Sequence, residues 1–356
     1  MLDPILLTRQ LVDIESTTYH EAPAGEFLAS YLSALGYTIT RHDVAQPDQA
    51  RTPGAGSGPR FNVYAVPQEL TSKGTGPEIV FSTHMDTVPP FLGPCLEDAD
   101  FLYGRGTCDA KGIIAAQIAA AEQLRTTGIR VGLLFLVGEE RDSAGAKVAN
   151  DLAAKQPPGS RFLINGEPTD NRLALASKGC LRVELFAHGR AAHSAYPELG
   201  ESAIDKLLQA LHVIQQLDLP IVEGIGDTTL NVGIISGGRA PNVIADKAEA
   251  HILVRLVGPA QEIRAAIERC CAGLCEVTFS LELPFVQMRA LDGFDTMIAK
   301  FTTDIPSLTH WGEPFLLGPG SIHVAHTPHE KVSKRELLAC VDLYVQLAKR
   351  LCQAAI

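Results

Sequence analysis

The sequence predicts an α/β protein: a mostly parallel sheet, with a smaller α+β layer of ferredoxin-like order inserted into it. Three observations carry that expectation. Over the first 175 residues, short apolar runs alternate with stretches of helical periodicity, which implies a sheet flanked by helices. From 176 to 287 the order becomes β-α-β-β-α-β, the split arrangement of a ferredoxin-like layer. The 356 residues suit about two domains at ~150 residues each, and the last ~65 are too few to form a third. The expected domains are therefore 1–175 with 288–356, and an insertion at 176–287.

Taken in order, Ile5–Ile14 and Phe27–Leu35 have helical apolar spacing, with Gly36 as a stop. Residues 45–60 are rich in Pro, Gly and Ala and read as an exposed loop. Phe61–Val66 and Glu78–Ser82 read as strands joined by TSKGTG. Ala110–Leu124 is an Ala-rich helix, and Arg130–Val137 is a continuous apolar run, the pattern of a strand covered on both faces. A helix at Ala144–Ala154 and a strand at Arg161–Ile164 follow. The insertion contains strands Cys180–Ala187, Thr229–Ile235, Ala245–Leu256 and Glu276–Leu283, with helices Ala203–Leu217 and Gln261–Cys271. Ser333–Cys352 is a closing helix that returns to the first sheet.

Composition excludes several classes. With 41 Asp+Glu against 30 Lys+Arg, the formal net charge is −11, which gives no support for nucleic-acid binding. The longest apolar run, Val131–Val137, is far short of the ~20 residues that span a bilayer. No basic segment precedes the first apolar stretch, so a secretory signal is not expected. Eight cysteines are too sparse for a disulfide scaffold and read as reduced thiols of a cytoplasmic protein.

Four groups of metal-type ligands fall at the carboxyl ends of expected strands or beside them. His84 and Asp86 follow IVFST, Asp109 lies in GRGTCDAKG before a helix, Glu139 and Glu140 follow VGLLFLVG, and Glu167 follows FLING. In an open α/β sheet, ligands bind in the crevice beyond those ends. An imidazole with several carboxylates suits zinc, and cobalt or manganese fits the same donors. Each residue also has a plainer reading. His-x-Asp pairs are common on surfaces, Asp109 could cap its helix, and Glu167 could be a turn residue. Adjacent glutamates at the end of an apolar strand are harder to explain without a cation.

These residues, with HGRAAHSAYP at 188–197 and GPGSIHVAHTPHE at 318–330, resemble the dinuclear-zinc hydrolase family of acetylornithine deacetylase, succinyl-diaminopimelate desuccinylase, aminoacylase and bacterial carboxypeptidases that cleave glutamate. The resemblance implies a catalytic domain holding two divalent cations, Zn2+ or else Co2+ or Mn2+, and an inserted lid or dimerisation domain. It implies that Asp109 bridges the cations, that His84 and Glu167 complete one site, and that Glu140 and His326 complete the other. Asp86 accepts the second ring N–H of His84, and Glu139 is the general base that deprotonates the shared water. His193 stabilises the tetrahedral oxyanion, reaching the site from the partner subunit in dimeric relatives.

The resemblance also places Asn242, Arg255, Gly320 and Ser321 near the substrate, although Leu253 stands where the family often has an acidic residue. Cys108 reads as a small packing residue, and His323 and His329 flank the AH-x-P frame that selects His326. The GEPT and GPGSIHVAH segments look closest to acetylornithine deacetylase, so the expected reaction is removal of an N-acyl group from an amino acid such as N-acetylornithine. A carboxypeptidase or dipeptidase could use the same site. A non-catalytic ligand-binding homologue is expected to lack Glu139 or a ligand, and none is missing. The expected partners are a small N-acyl amino acid or dipeptide and a second copy of the chain, paired through the insertion.

Overall fold

The computed structural model describes residues 2–48, 50, 52, 54, 56 and 58–353. Of the loop expected over 45–60, residues 49, 51, 53, 55 and 57 lie outside the described residues. The chain packs as two units, residues 1–175, 288–297 and 303–356, and residues 176–287 with 298–302. The expected boundary kept all of 288–356 in the first unit. Residues 298–302 instead pair with the start of the insertion: the Lys178 N–H donates to Ala299 O at 2.9 Å and Ser177 Oγ to Phe301 O at 3.0 Å.

In the first unit, six strands lie in the order Tyr37–Asp43, Phe61–Pro67, Val131–Leu136, Ile79–His84, Phe162–Asn165 and Glu313–Leu316. The last four are parallel, and the first two form an antiparallel edge. VGLLFL and IVFSTH are buried at every residue because helices cover both faces. Two strands of this sheet escaped the sequence reading. YTITRHD is an edge strand whose charged, mostly unburied residues hide its period. EPFL is short and opens on Glu-Pro.

The helix Lys111–Arg125 is buried at every position through Ala121. Its alanines let it lie close to the sheet strands and the helices Pro4–Val12 and Lys334–Gln353. Asp3 starts the first of these, its Oδ1 accepting the Ile5 N–H at 2.9 Å. Phe81, Phe135 and Phe315 fill the core on this face, where truncating one such ring to Ala costs about 3–5 kcal/mol. On the other face, Ala146, Ala149 and Ala153 of the helix Ala144–Lys155 pack with Leu134, Leu163 and Trp311.

In the second unit, four antiparallel strands run in the order Thr229–Gly237, Lys247–Leu256, Gly179–His188 and Glu276–Leu283. The helices Ala203–Gln215 and Gln261–Cys271 share one apolar core with them. Alternate residues of Lys247–Leu256 are buried, as a sheet covered on one face requires. This is the ferredoxin-like order. Thr229–Gly237 is an edge strand on which Ile234 and Ile235 are 55% and 56% exposed. No described helix is long and apolar enough to cross a membrane.

Candidate metal centre

Parallel pairing decides where the acidic residues emerge. Val131–Leu136, Ile79–His84 and Phe162–Asn165 are parallel neighbours, so His84, the Glu139-Glu140 pair and Glu167 leave the sheet along one edge. Gly138, with φ +81°, turns the chain out of its strand before the glutamates. Asp109 arrives in the turn before Lys111–Arg125. It does not cap that helix, whose cap position is Ala110 without a side-chain bond. His326 lies in an irregular turn at φ +63°, a left-handed conformation that a non-glycine residue adopts at a cost of about 1–3 kcal/mol.

The two oxygens of Asp109 face different histidines. His84 Nε2 is 2.9 Å from Oδ1, and His326 Nε2 is 3.3 Å from Oδ2. His326 Nε2 also lies 3.0 Å from Glu140. One ligand atom from each of His84, Asp109 and Glu140 lies within 4.8 Å of the others. His84 Nδ1 faces the carbonyl oxygen of Asp86 at 2.9 Å. A carbonyl only accepts, so Nδ1 carries a proton and Nε2 is the atom presented to the cluster. Glu167 is 4% exposed, and its Oε1 has no hydrogen-bond partner among the described residues.

The electrostatics reflect crowded acids. Burial, then the field of Glu167, pushes the Glu139 carboxyl well above its ordinary range. Burial pushes Glu167 up in the same way, opposed by His84 and reinforced by Asp109. Burial and Asp109 together raise Glu140. Burial also disfavours charge on Asp109, but bonds from His326 and His84 outweigh it and hold this carboxyl low. Hydrogen bonds to Asp109 and Glu140 push His326 up to about 10. So many buried acids are costly unless cations offset them. The unpartnered Glu167 oxygen and the mixed imidazole and carboxylate donors fit divalent ions such as zinc, cobalt or manganese.

The main-chain carbonyl of Asp86 makes the nearer contact to His84 Nδ1, and its carboxylate stands 3.6 Å from the same nitrogen. There, against the effect of burial, His84 lowers the Asp86 carboxyl. That carboxylate also serves the glutamate turn. Oδ1 accepts the N–H groups of Gly138 at 2.9 Å and Glu139 at 3.1 Å. Oδ2 accepts those of Glu140 at 3.3 Å and Thr18 Oγ1 at 2.9 Å. A chain leaving a buried strand has amides that need acceptors, and Asp86 supplies them. Thr18 had no sequence signal. Neither had Asp304, a buried carboxyl that burial pushes up to about 7 and that acts on both Glu139 and Glu167.

Gly320 and Ser321 pack beside the loops carrying Asp109 and Glu167. The Asp170 N–H donates to Gly320 O at 2.8 Å, Cys108 Sγ to Ser321 O at 3.4 Å, and Thr169 bridges Ser321. Cys108 is buried, and burial pushes its thiol far above the ordinary range, which suits a packing role and not a thiolate. In the second unit, His193 and Asn242 adjoin: His193 bridges Val243, and the Ser194 N–H donates to Asn242 O at 3.0 Å. His193 Nδ1 accepts the Ala195 N–H at 3.1 Å, which leaves Nε2 as its outward donor. Arg255 Nη1 contacts Thr302 Oγ1 at 3.5 Å.

Comparison with known proteins gives this arrangement a context. The family model described as peptidase family M20/M25/M40 matches residues 80–350. A probable carboxypeptidase of Aspergillus fumigatus is 37% identical, over 98% of this chain and 86% of its own. A peptidase M20 domain-containing protein of Schizosaccharomyces pombe is 37% identical, over 96% and 83%. Among solved structures, a tripeptidase from Staphylococcus aureus superposes with a TM-score of 0.76 at 21% identity, over 98% of both chains. An M20 family metallo-carboxypeptidase from Sulfolobus solfataricus gives 0.74 at 14% identity, over 98% and 99%. The chain belongs to peptidase family M20/M25/M40 and is a metallohydrolase.

Proposed function

We propose that the protein hydrolyses an amide next to a free carboxylate in small substrates, acting on short peptides as a carboxypeptidase. The observation that carries this reading is the Asp109 carboxylate, whose oxygens face His84 and His326 separately, with the buried carboxyl of Glu139 next in the chain to Glu140, which itself meets His326. In this assignment His84 and Glu167 would hold one divalent cation and Glu140 and His326 a second, with Asp109 contributing to both. When bound, the cations supply an acidified water and a polarised substrate carbonyl.

Glu139 would take a proton from the water that adds to the carbonyl carbon and give it to the amide nitrogen as the C–N bond breaks. The products are a carboxylate and an amine. Asp86 holds the Glu139 backbone in place for this transfer. His193 and Asn242 are the proposed donors to the oxyanion and substrate. Arg255 and the Gly320-Ser321 loop are proposed for the substrate carboxylate, for which a guanidinium fork is suited.

The names of the whole-length curated relatives support the peptide reading. A second reading, deacylation of an N-acyl amino acid such as N-acetylornithine, is favoured by GEPT at 166–169 and GPGSIHVAH at 318–326. A homodimer through the second unit is also part of the proposal, supported by the apolar edge strand Thr229–Gly237, as is a cytoplasmic location, supported by the sparse cysteines. The test is a panel of dipeptides, tripeptides and N-acetyl and N-succinyl amino acids, assayed with added Zn2+, Co2+ or Mn2+. Faster cleavage of peptides supports the first reading, and faster release of acetate supports the second. Binding of metal without turnover on any substrate overturns both.

A further inference from the structure

The motif that carries His326 runs four residues further, to Glu330. Its carboxyl group is 2% exposed, a costly place for a charge without partners. The partners come from the loop that carries Asp109. Glu330 Oε1 accepts the N–H groups of Gly106 at 2.8 Å, Cys108 at 3.2 Å and Asp109 at 3.1 Å, while Oε2 accepts from Arg105 Nη1 at 2.6 Å. Amides converging on one oxygen make a backbone nest, a fixed positive concavity that holds anions. Here the chain fills the nest with its own carboxylate.

The joint extends in both directions. The Gly104 N–H donates to the main-chain oxygen of Glu330 at 3.1 Å, and Arg105 Nη1 reaches Thr327 O at 3.2 Å. Segments 104–109 and 326–330 are thereby bonded side to side. Each delivers one member of the cluster, and neither Asp109 nor His326 lies in a regular element. A cation tolerates ligand displacements of only about 0.2 Å, which free loops do not hold. We propose that Glu330 is a positioning residue: it latches the Asp109 loop to the His326 loop and sets the cation site that these residues share with Glu140. The inference rests on the two-cation reading.

Loss of the latch acts unevenly. His84 ends a central strand and Glu167 follows another, so their side of Asp109 keeps its footing in the sheet. His326 depends on loop contacts. Glu330→Gln keeps an acceptor for the amides but loses the charged partner of Arg105, and Arg105→Lys keeps the charge but loses the planar fork.

The test uses the full chain, stripped with a chelator and titrated with Co2+. Retained metal is counted after desalting, and thermal unfolding is measured on the stripped proteins. The expected result is two tight cations in the wild type. In Glu330→Gln one of the two is weakened about 10–100-fold, with turnover restored by excess Co2+, and Arg105→Lys shows the same pattern more weakly. Wild-type affinity for both cations in the two variants overturns the latch. So does an equal weakening of both cations, which is what a general loss of structure produces. If Glu330→Gln does not fold, Arg105→Lys decides by the same readings. A wild type that binds fewer than two cations overturns the two-cation reading instead, so the two failures are distinguishable.

Discussion

Asp86 holds the backbone of Glu139, its Oδ1 accepting the Glu139 N–H at 3.1 Å. The same carboxylate accepts the neighbouring amides of Gly138 and Glu140, so one side chain fixes the turn from which both glutamates project. Asp86→Ala leaves those buried amides unpaired, at about 1–3 kcal/mol for each group that finds no water. Turnover is expected to fall about 10–100-fold with a lowered thermal midpoint. Asp86→Asn, which keeps an acceptor, is expected to be milder on both. Steady-state kinetics and thermal unfolding of the two variants check this.

Glu139 is the proposed proton carrier, its backbone fixed by Asp86 and its side chain left out of the proposed ligand set. Glu139→Gln is expected to lower kcat about 10²–10⁴-fold with metal content unchanged. Metal analysis beside single-turnover kinetics separates the effects. A kcat within a few-fold of wild type assigns the base elsewhere.

The metal-stripped protein has a predictable response to pH. Asp304 and His326 are pushed up to about 7 and about 10, above the ordinary values of about 3.9 and 6.5. A group that binds its proton more tightly when folded contributes stability below its unfolded value and loses it as pH rises through the folded one. Asp304 loses its contribution between about pH 4 and 7, and His326 between about pH 6.5 and 10. Asp109, held low, titrates below this range. Glu139 and Glu167, raised by burial, act in the same direction as Asp304 and His326. Lys111, pushed down to about 7 by burial, gains stability above about pH 7 and offsets part of the loss. The stripped protein is therefore expected to unfold at lower temperature at pH 9 than at pH 6. Metal binds deprotonated ligands, so the gap between loaded and stripped midpoints widens over the same interval. A stripped midpoint that rises from pH 6 to pH 9 contradicts the account.

Gly318 sits against Glu167 so closely that a Cβ there would lie 2.2 Å from the Glu167 carbonyl oxygen. Gly318→Ala must displace backbone, at about 1–3 kcal/mol, and the segment displaced carries a proposed ligand. Metal affinity is expected to drop together with stability. Gly258→Ala, whose Cβ meets nothing within 4 Å, serves as the control and is expected to stay within about 0.5 kcal/mol of wild type. Isothermal titration and thermal unfolding of both variants provide the comparison.

Much of this arrangement was legible in the sequence because it rests on local signals. VGLLFL and IVFST are apolar throughout, so they announce buried strands. The acids that interrupt such runs at His84–Asp86 and Glu139-Glu140 stand out against them. The ferredoxin-like insertion was readable from strand and helix order alone. YTITRHD escaped because an edge strand ending on Arg41, His42 and Asp43 lacks a clean period. The sequence could not show which atom of Asp86 meets His84, since carbonyl and carboxylate belong to the same residue. Thr18 and Asp304 were silent, and Glu330 stood in a quoted motif with no role assigned to it, because their importance lies in contacts across long stretches of chain, such as Thr18 with Asp86, and no spacing encodes those.

The central claim is that Asp109 is shared between two cations, one on its His84 side and one on its His326 side. Anomalous diffraction from crystals of the protein prepared with Zn2+ tests it most directly. The account predicts two strong peaks, one contacting Asp109 and His84 and the other contacting Asp109 and His326. A single peak, or peaks that leave the Asp109 carboxylate uncontacted, contradicts it.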